Sequence, residues 1–319
     1  MALNLLLIAI GLIGLTAGGE AVVRGALAAG YRLGISPLLA GLVIVGFGTS
    51  APELVVSVTA ALEQQPDIAV GNVVGSNIGN VLLILGVCAI ITPLTITPLA
   101  LVRDGLCVVG ASGLFLVLVW GSALVRWDAA ILLAALAGYL VWAYLSESRV
   151  QSAAGAIHRQ EGAQITALPK RSLTMGLALI GGLLLLIAGS QALLQGAVGI
   201  AEALGVSEAV IGLTLVAVGT SLPEFSVSLL AALRRQADVA IGNILGSNLF
   251  NLLGILGLSA LLQPLPVSPR MLLFDQWVML AAALLLLLFL YTGHRISRVE
   301  GALLVGGYVA YIAASFTMF

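Results

Sequence analysis

Apolar residues fill ten long runs broken by short polar stretches: about 3–29, 36–62, 67–91, 99–120, 128–146, 172–201, 207–233, 238–262, 270–291 and 299–317. At 1.5 Å per residue, about 20 residues cross a ~30 Å hydrocarbon layer. Each run therefore predicts a membrane-spanning helix. The longest interruption, 147–171, is polar and short and reads as a linker. The fold class expected is an all-α integral membrane protein of ten transmembrane helices.

The polar positions inside these runs repeat. A shift of 171 residues lays Gly48-Thr49-Ser50-Ala51-Pro52-Glu53 on Gly219-Thr220-Ser221-Leu222-Pro223-Glu224. It also lays Gly71-Asn72 on Gly242-Asn243, and Gly75-Ser76-Asn77 with Asn80 on Gly246-Ser247-Asn248 with Asn251. Between 48 and 86 the match is 23 of 39 pairs without a gap, which makes the chain a duplication: 1–146, linker 147–171, and 172–319. Five spans is an odd number, so the second half should enter the membrane from the opposite side. Inverted repeats of this kind place a transport site near the midplane between the halves.

Composition and charge sharpen this picture. Hydrophobic residues make up 61% of 319 and charged residues 8%. A soluble domain carries roughly 25% charged residues, so lipid must cover this surface. A net charge of −1 offers no nucleic-acid surface. Arg24, Arg32, Arg103, Arg149, Arg159, Lys170, Arg171, Arg234, Arg235, Arg295 and Arg298 fall on one side of the alternation, and only Arg126 and Arg270 on the other. The positive-inside rule puts the first side in the cytoplasm and both termini outside a cell membrane. Cys88 and Cys107, in or beside apolar runs, read as packing residues.

Glu53 and Glu224 are the chemical centre. A charge within a span usually marks a pathway or site. Glu53 lies ten residues before Glu63 at the span's end, or about 15 Å of helix, close to mid-membrane. Counting back from the turn at Glu63–Asp67 puts Ser76 at similar depth, and the same arithmetic pairs Glu224 with Ser247. Thr49 and Ser50 share a helix face with Glu53, at four and three residues. Pro52 removes a backbone donor, so the helix should kink here, and carbonyls such as those of Gly46 and Ala217 become candidate ligands. Carboxylates, hydroxyls, amides and carbonyls are hard oxygen donors, which suit calcium at six to eight oxygens. The absence of Cys and His from these segments argues against zinc and copper. Glu20 and Arg24 read as a local pair, and Asp104 and Asp275 as helix caps or interfacial residues.

The segments GTSAPELVVSVTAAL…GNVVGSNIGN and GTSLPEFSVSLLAAL…GNILGSNLFN closely resemble the α-repeats of the cation/calcium antiporter family, in its prokaryotic sodium/calcium exchanger branch. The resemblance covers nearly the whole chain. It implies a secondary antiporter, not an enzyme, exchanging one Ca²⁺ for Na⁺, usually three, by alternating access and normally extruding Ca²⁺. It implies no cofactor and no obligatory protein partner. Carried over by motif position, Glu53 and Glu224 would be central ligands. Thr49, Ser50, Thr220, Ser221, Ser76, Ser247, Asn80, Asn251 and the carbonyls of Gly46 and Ala217 would complete the cage. The long first and sixth spans would slide across the remaining helices. Several relatives carry Asp where this chain has Asn251, so this site has two acids rather than three. A Ca²⁺/H⁺ antiporter on the same fold and a passive cation channel are the alternatives.

Overall fold

The computed structural model describes residues 2–95, 98–164, 172–204 and 219–318, with side chains left undescribed at 98–102, 147–164 and 318. Its helices are α1 (Ala2–Leu33), α2 (Pro37–Thr49), α3 (Ala51–Leu62), α4 (Pro66–Ile91), α5 (Pro98–Leu118), α6 (Arg126–Gln164), α7 (Ser172–Ala203), α8 (Leu222–Leu233), α9 (Ala237–Leu262), α10 (Met271–Gly293) and α11 (Arg298–Met318). Among the described residues, eight helices are long and apolar enough to cross a membrane, and α2 with α3 makes a ninth as one span bent by 45°. The expected span 207–233 is described only from 219 onward, where it contains the twelve-residue α8.

Three departures from the sequence reading have local causes. α6 continues through 147–164 of the expected linker, where Ala, Glu and Gln predominate and no Pro intervenes, a composition with high helix propensity. The fold is all-helical apart from two short loop ribbons that the sequence did not predict: Leu94–Thr95 pairs with Arg295–Ile296, and Ala123–Leu124 with Leu265–Pro266, each antiparallel. Each ribbon joins a loop of one half to a loop of the other. Asp104 and Asp275 are not solvated caps. Asp104 is buried, bonded to Arg103 at 2.7 Å and to the Tyr139 hydroxyl at 3.0 Å; Asp275 meets Arg270 at 3.1 Å and the Tyr311 hydroxyl at 2.9 Å. A buried charge needs such pairing, and here the pairs tie α5 to α6 and α10 to α11.

α4 and α9 form the centre. α9 is buried along most of its length, whereas α11 is largely uncovered by the rest of the protein, as a lipid-facing helix would be. α2 lies on α9 so closely that a side chain on Gly246 would strike the Leu42 carbonyl. α1 and α7 pack antiparallel, with Gly11, Gly14 and Gly18 facing Gly182 and Gly189; a Cβ on Gly18 would sit 2.7 Å from the Gly182 oxygen. Lipid is as apolar as leucine, so helices in a membrane associate through close backbone packing of small residues. Cys88 and Cys107 are free thiols, in keeping with a packing role. Trp120, Trp127 and Tyr291 are exposed near helix ends, as an interfacial belt requires.

Candidate functional site

The site is built at two helix breaks and two wide helical turns. Helix geometry stops at Ser50, with φ −79° and ψ 10°, and Pro52 starts α3 in its first turn, where a missing N–H costs nothing. Ser221 repeats this, with φ −88° and ψ 9°, ahead of Pro223. The breaks bring Glu53 and Glu224 into the first turns of α3 and α8, where the helix dipole favours negative charge. α4 widens to a π turn at Asn80–Leu85, and α9 at Phe250–Ile255. Turns of this kind are frequent at functional sites, and here they turn Asn80 and Asn251 inward.

Both glutamates are 1% exposed and each rests on a serine of the opposite half. Ser50 Oγ donates to Glu224 Oε1 at 2.9 Å, and Ser221 Oγ to Glu53 Oε1 at 3.2 Å. Ser221 Oγ also lies 3.4 Å from Ser76 Oγ, so Glu53 and Ser76 share one neighbour from the opposite half. At the other corner Thr49 Oγ1 lies 3.5 Å from Ser247 Oγ, and both approach the Glu224 carboxylate. An ionised carboxylate buried without partners is costly, so two of them buried here require compensation. A cavity of about 160 Å³, lined partly by Gly79, Phe225 and Tyr308, reaches the Glu53 corner at Ser76 and Ser221.

The structure therefore gathers Thr49, Ser50, Glu53, Ser76, Ser221, Glu224 and Ser247 around the two carboxylates. Thr220 adjoins them at the second break, half-buried. The Gly46 carbonyl is not set free by the kink. It accepts the Ser50 amide at 3.2 Å and lies 3.1 Å from Ser247 Oγ and 3.3 Å from Thr49 Oγ1. Ala217 lies outside the described residues. Among the described residues, five buried side-chain oxygens in these segments have no hydrogen-bond partner: Glu53 Oε2, Glu224 Oε2, Asn80 Oδ1, Asn251 Oδ1 and Thr220 Oγ1.

Sequence reading missed the residues that hold this arrangement. Asn72 Nδ2 donates to the Glu53 carbonyl at 3.2 Å and to Ser57 Oγ at 2.9 Å; Asn243 Nδ2 does the same for the Glu224 carbonyl at 3.2 Å and Ser228 Oγ at 2.8 Å. Asn243 Oδ1 also accepts from Thr49 Oγ1 at 3.1 Å. These amides brace each glutamate's helix against its neighbour. Their signal was present in the sequence: both asparagines and both serines are matched across the 171-residue shift.

Comparison with known proteins agrees with this geometry. The family described as sodium/calcium exchanger protein matches residues 3–145 and again 175–317, once for each half. The chain is 36% identical over 314 residues to the putative antiporter CaxA of Alkalimonas amylolytica, covering 98% of both chains. It is 33% identical over 347 residues to the sodium/calcium exchanger MaX1 of Methanosarcina acetivorans, covering 99% of each. The solved structure of the sodium-calcium exchanger NCX_Mj, soaked with zero Na⁺ and Ca²⁺, superposes with a TM-score of 0.82 at 30% identity, over 98% of this chain and 99% of that one. Two carboxylates on broken helices, repeated across halves that each match the family, leave one assignment: the chain belongs to the sodium/calcium exchanger family.

Proposed function

We propose that this chain is a secondary antiporter that exchanges Ca²⁺ for Na⁺ across the cell membrane, with Glu53 and Glu224 as the central ligands. The observation that carries this reading is the set of five partnerless buried oxygens. Leaving one buried polar atom unsatisfied costs about 1–3 kcal/mol, so five in these matched segments call for partners, which a hard cation bound between the halves would supply. Calcium takes six to eight oxygens. The orphaned five, with hydroxyl oxygens of Ser50, Ser76, Ser221, Thr49 or Ser247, reach that number. The Gly46 carbonyl joins when the Ser247 and Thr49 hydroxyls turn from it to the ion, and the Ala217 carbonyl is its counterpart in the second half.

The charge arithmetic gives the exchange. Two ionised carboxylates carry −2, which one Ca²⁺ neutralises and monovalent ions replace in groups. A site filled by one or the other before it changes access couples the two fluxes. Ten spans in two inverted five-helix repeats suit this reading: the two ribbons pair loops that the ten-span alternation assigns to the same face. That alternation puts both termini outside.

The test is Ca²⁺ uptake into proteoliposomes with an imposed Na⁺ gradient at fixed pH. The expected result is Ca²⁺ movement driven against the Na⁺ gradient. Flux that ignores Na⁺ and follows a pH gradient overturns it in favour of Ca²⁺/H⁺ exchange.

A further inference from the structure

Two residues of the site remain without a role: Asn77 and Asn248, both 2% exposed and matched across the 171-residue shift, between the ligand serines and the inward-turned Asn80 and Asn251. We propose that Asn77 and Asn248 are positioning residues that fix which end of the Asn251 and Asn80 amides faces the cation. The proposal rests on the ligand assignment above.

The four side chains form a reciprocal brace between the halves. Asn77 Nδ2 donates to the Asn248 main-chain oxygen at 3.1 Å, and Asn248 Nδ2 to the Asn77 main-chain oxygen at 3.3 Å. Asn251 Nδ2 donates to Asn77 Oδ1 at 3.0 Å, and Asn80 Nδ2 to Asn248 Oδ1 at 2.9 Å. All four nitrogens are used, and both oxygens of the inner pair are used. What remains is Asn80 Oδ1 and Asn251 Oδ1, buried and without a partner.

A side-chain amide has nearly the same shape either way round, so packing alone does not choose between its oxygen and its NH₂. The brace chooses. Turning Asn251 over would set its oxygen against Asn77 Oδ1, acceptor against acceptor, and present hydrogens to the ion. Asn77 cannot turn to accommodate this, because its own oxygen would then face the Asn248 carbonyl. The choice is thus anchored in two main-chain carbonyls, whose direction is set by their helices. This matters in a site with two acids, because a carboxylate offers oxygen in either orientation and a neutral amide does not.

The experiment is a pair of double-mutant cycles read by Ca²⁺ affinity, from calorimetric titration of the purified full chain, with thermal unfolding measured alongside. Asn251→Ala and Asn77→Ala should each weaken Ca²⁺ binding about tenfold, and the double variant should be no weaker than Asn251→Ala alone. Asn248→Ala and Asn80→Ala should behave in the same way. The cross-pair Asn77→Ala with Asn80→Ala should be additive. Loss of general stability would not produce that pattern of pairing. Additivity in both matched pairs, or unaltered affinity in Asn77→Ala and Asn248→Ala while Asn251→Ala and Asn80→Ala bind weakly, overturns the positioning role alone. Unaltered affinity in Asn251→Ala and Asn80→Ala removes the ligand assignment and the proposal with it. Should Asn77→Ala not fold, the Asn248 cycle decides.

Discussion

Among the helix pairs that cross the boundary between the halves, two do so by different means. α4 and α9 are stitched by four directional amide bonds, each from one half to the other. α1 and α7 meet backbone to backbone along glycines. Directional bonds fix one relative position, because a shift of a few ångströms breaks all of them. A glycine seam fixes closeness but sets little register. The contrast suits a transporter in which an ordered cage stays intact while the pair beside it moves, as the resemblance implies for the first and sixth spans.

The comparison is broken most sharply at the carboxylates. Glu53→Gln or Glu224→Gln should abolish Ca²⁺ flux, by at least a hundredfold in proteoliposomes, with a melting temperature equal to or above that of the parent. Removing a buried charge relieves a desolvation cost, so these acids serve the ion rather than the fold. Near-normal flux in either variant would end the site assignment. Next comes the framework. Gly246→Ala directs a methyl group at the Leu42 carbonyl, and overpacking of this kind costs about 1–3 kcal/mol, seen as a melting temperature lower by several degrees.

In the glycine seam, Gly18→Val should slow exchange by about tenfold at saturating Ca²⁺ while leaving Ca²⁺ affinity near that of the parent. An equal effect on affinity would mean that the seam is part of the cage. The smallest effect belongs to the ion triad in which Glu20 Oε1 meets Arg24 at 2.6 Å and Arg234 at 2.9 Å. These side chains are partly exposed, and such pairs contribute below about 1 kcal/mol. Arg234→Gln should therefore shift melting by a degree or two at low salt and less at high salt.

The described spans and the duplication were legible because both are written in one dimension: run length in the first case, an ungapped 171-residue shift in the second. The nearness of Glu53 to Ser76 through Ser221 followed from the same counting. What lies between halves was not legible. Asn72 and Asn243 were visible as matched letters, but the hydrogen bonds that give them a role need the third dimension. The two ribbons are two residues per strand, too short for any alternation to show. Asp104 and Asp275 read as interfacial because their tyrosine partners lie 35 and 36 residues away. The Gly46 carbonyl was read as freed because Pro52 was visible, whereas Ser247 arrives from 201 residues downstream.

The ribbons carry a consequence for biosynthesis. Leu94–Thr95 waits for Arg295–Ile296, and Ala123–Leu124 for Leu265–Pro266, and among the described residues the side chains of Ser50, Glu53 and Asn77 likewise find their hydrogen-bond partners in the second half. While the ribosome is still making the second half, the first must hold a carboxylate and several amides in the bilayer without them. Such an intermediate is a natural client for insertion chaperones. Two separately expressed halves should each be short-lived and should rescue one another when made together.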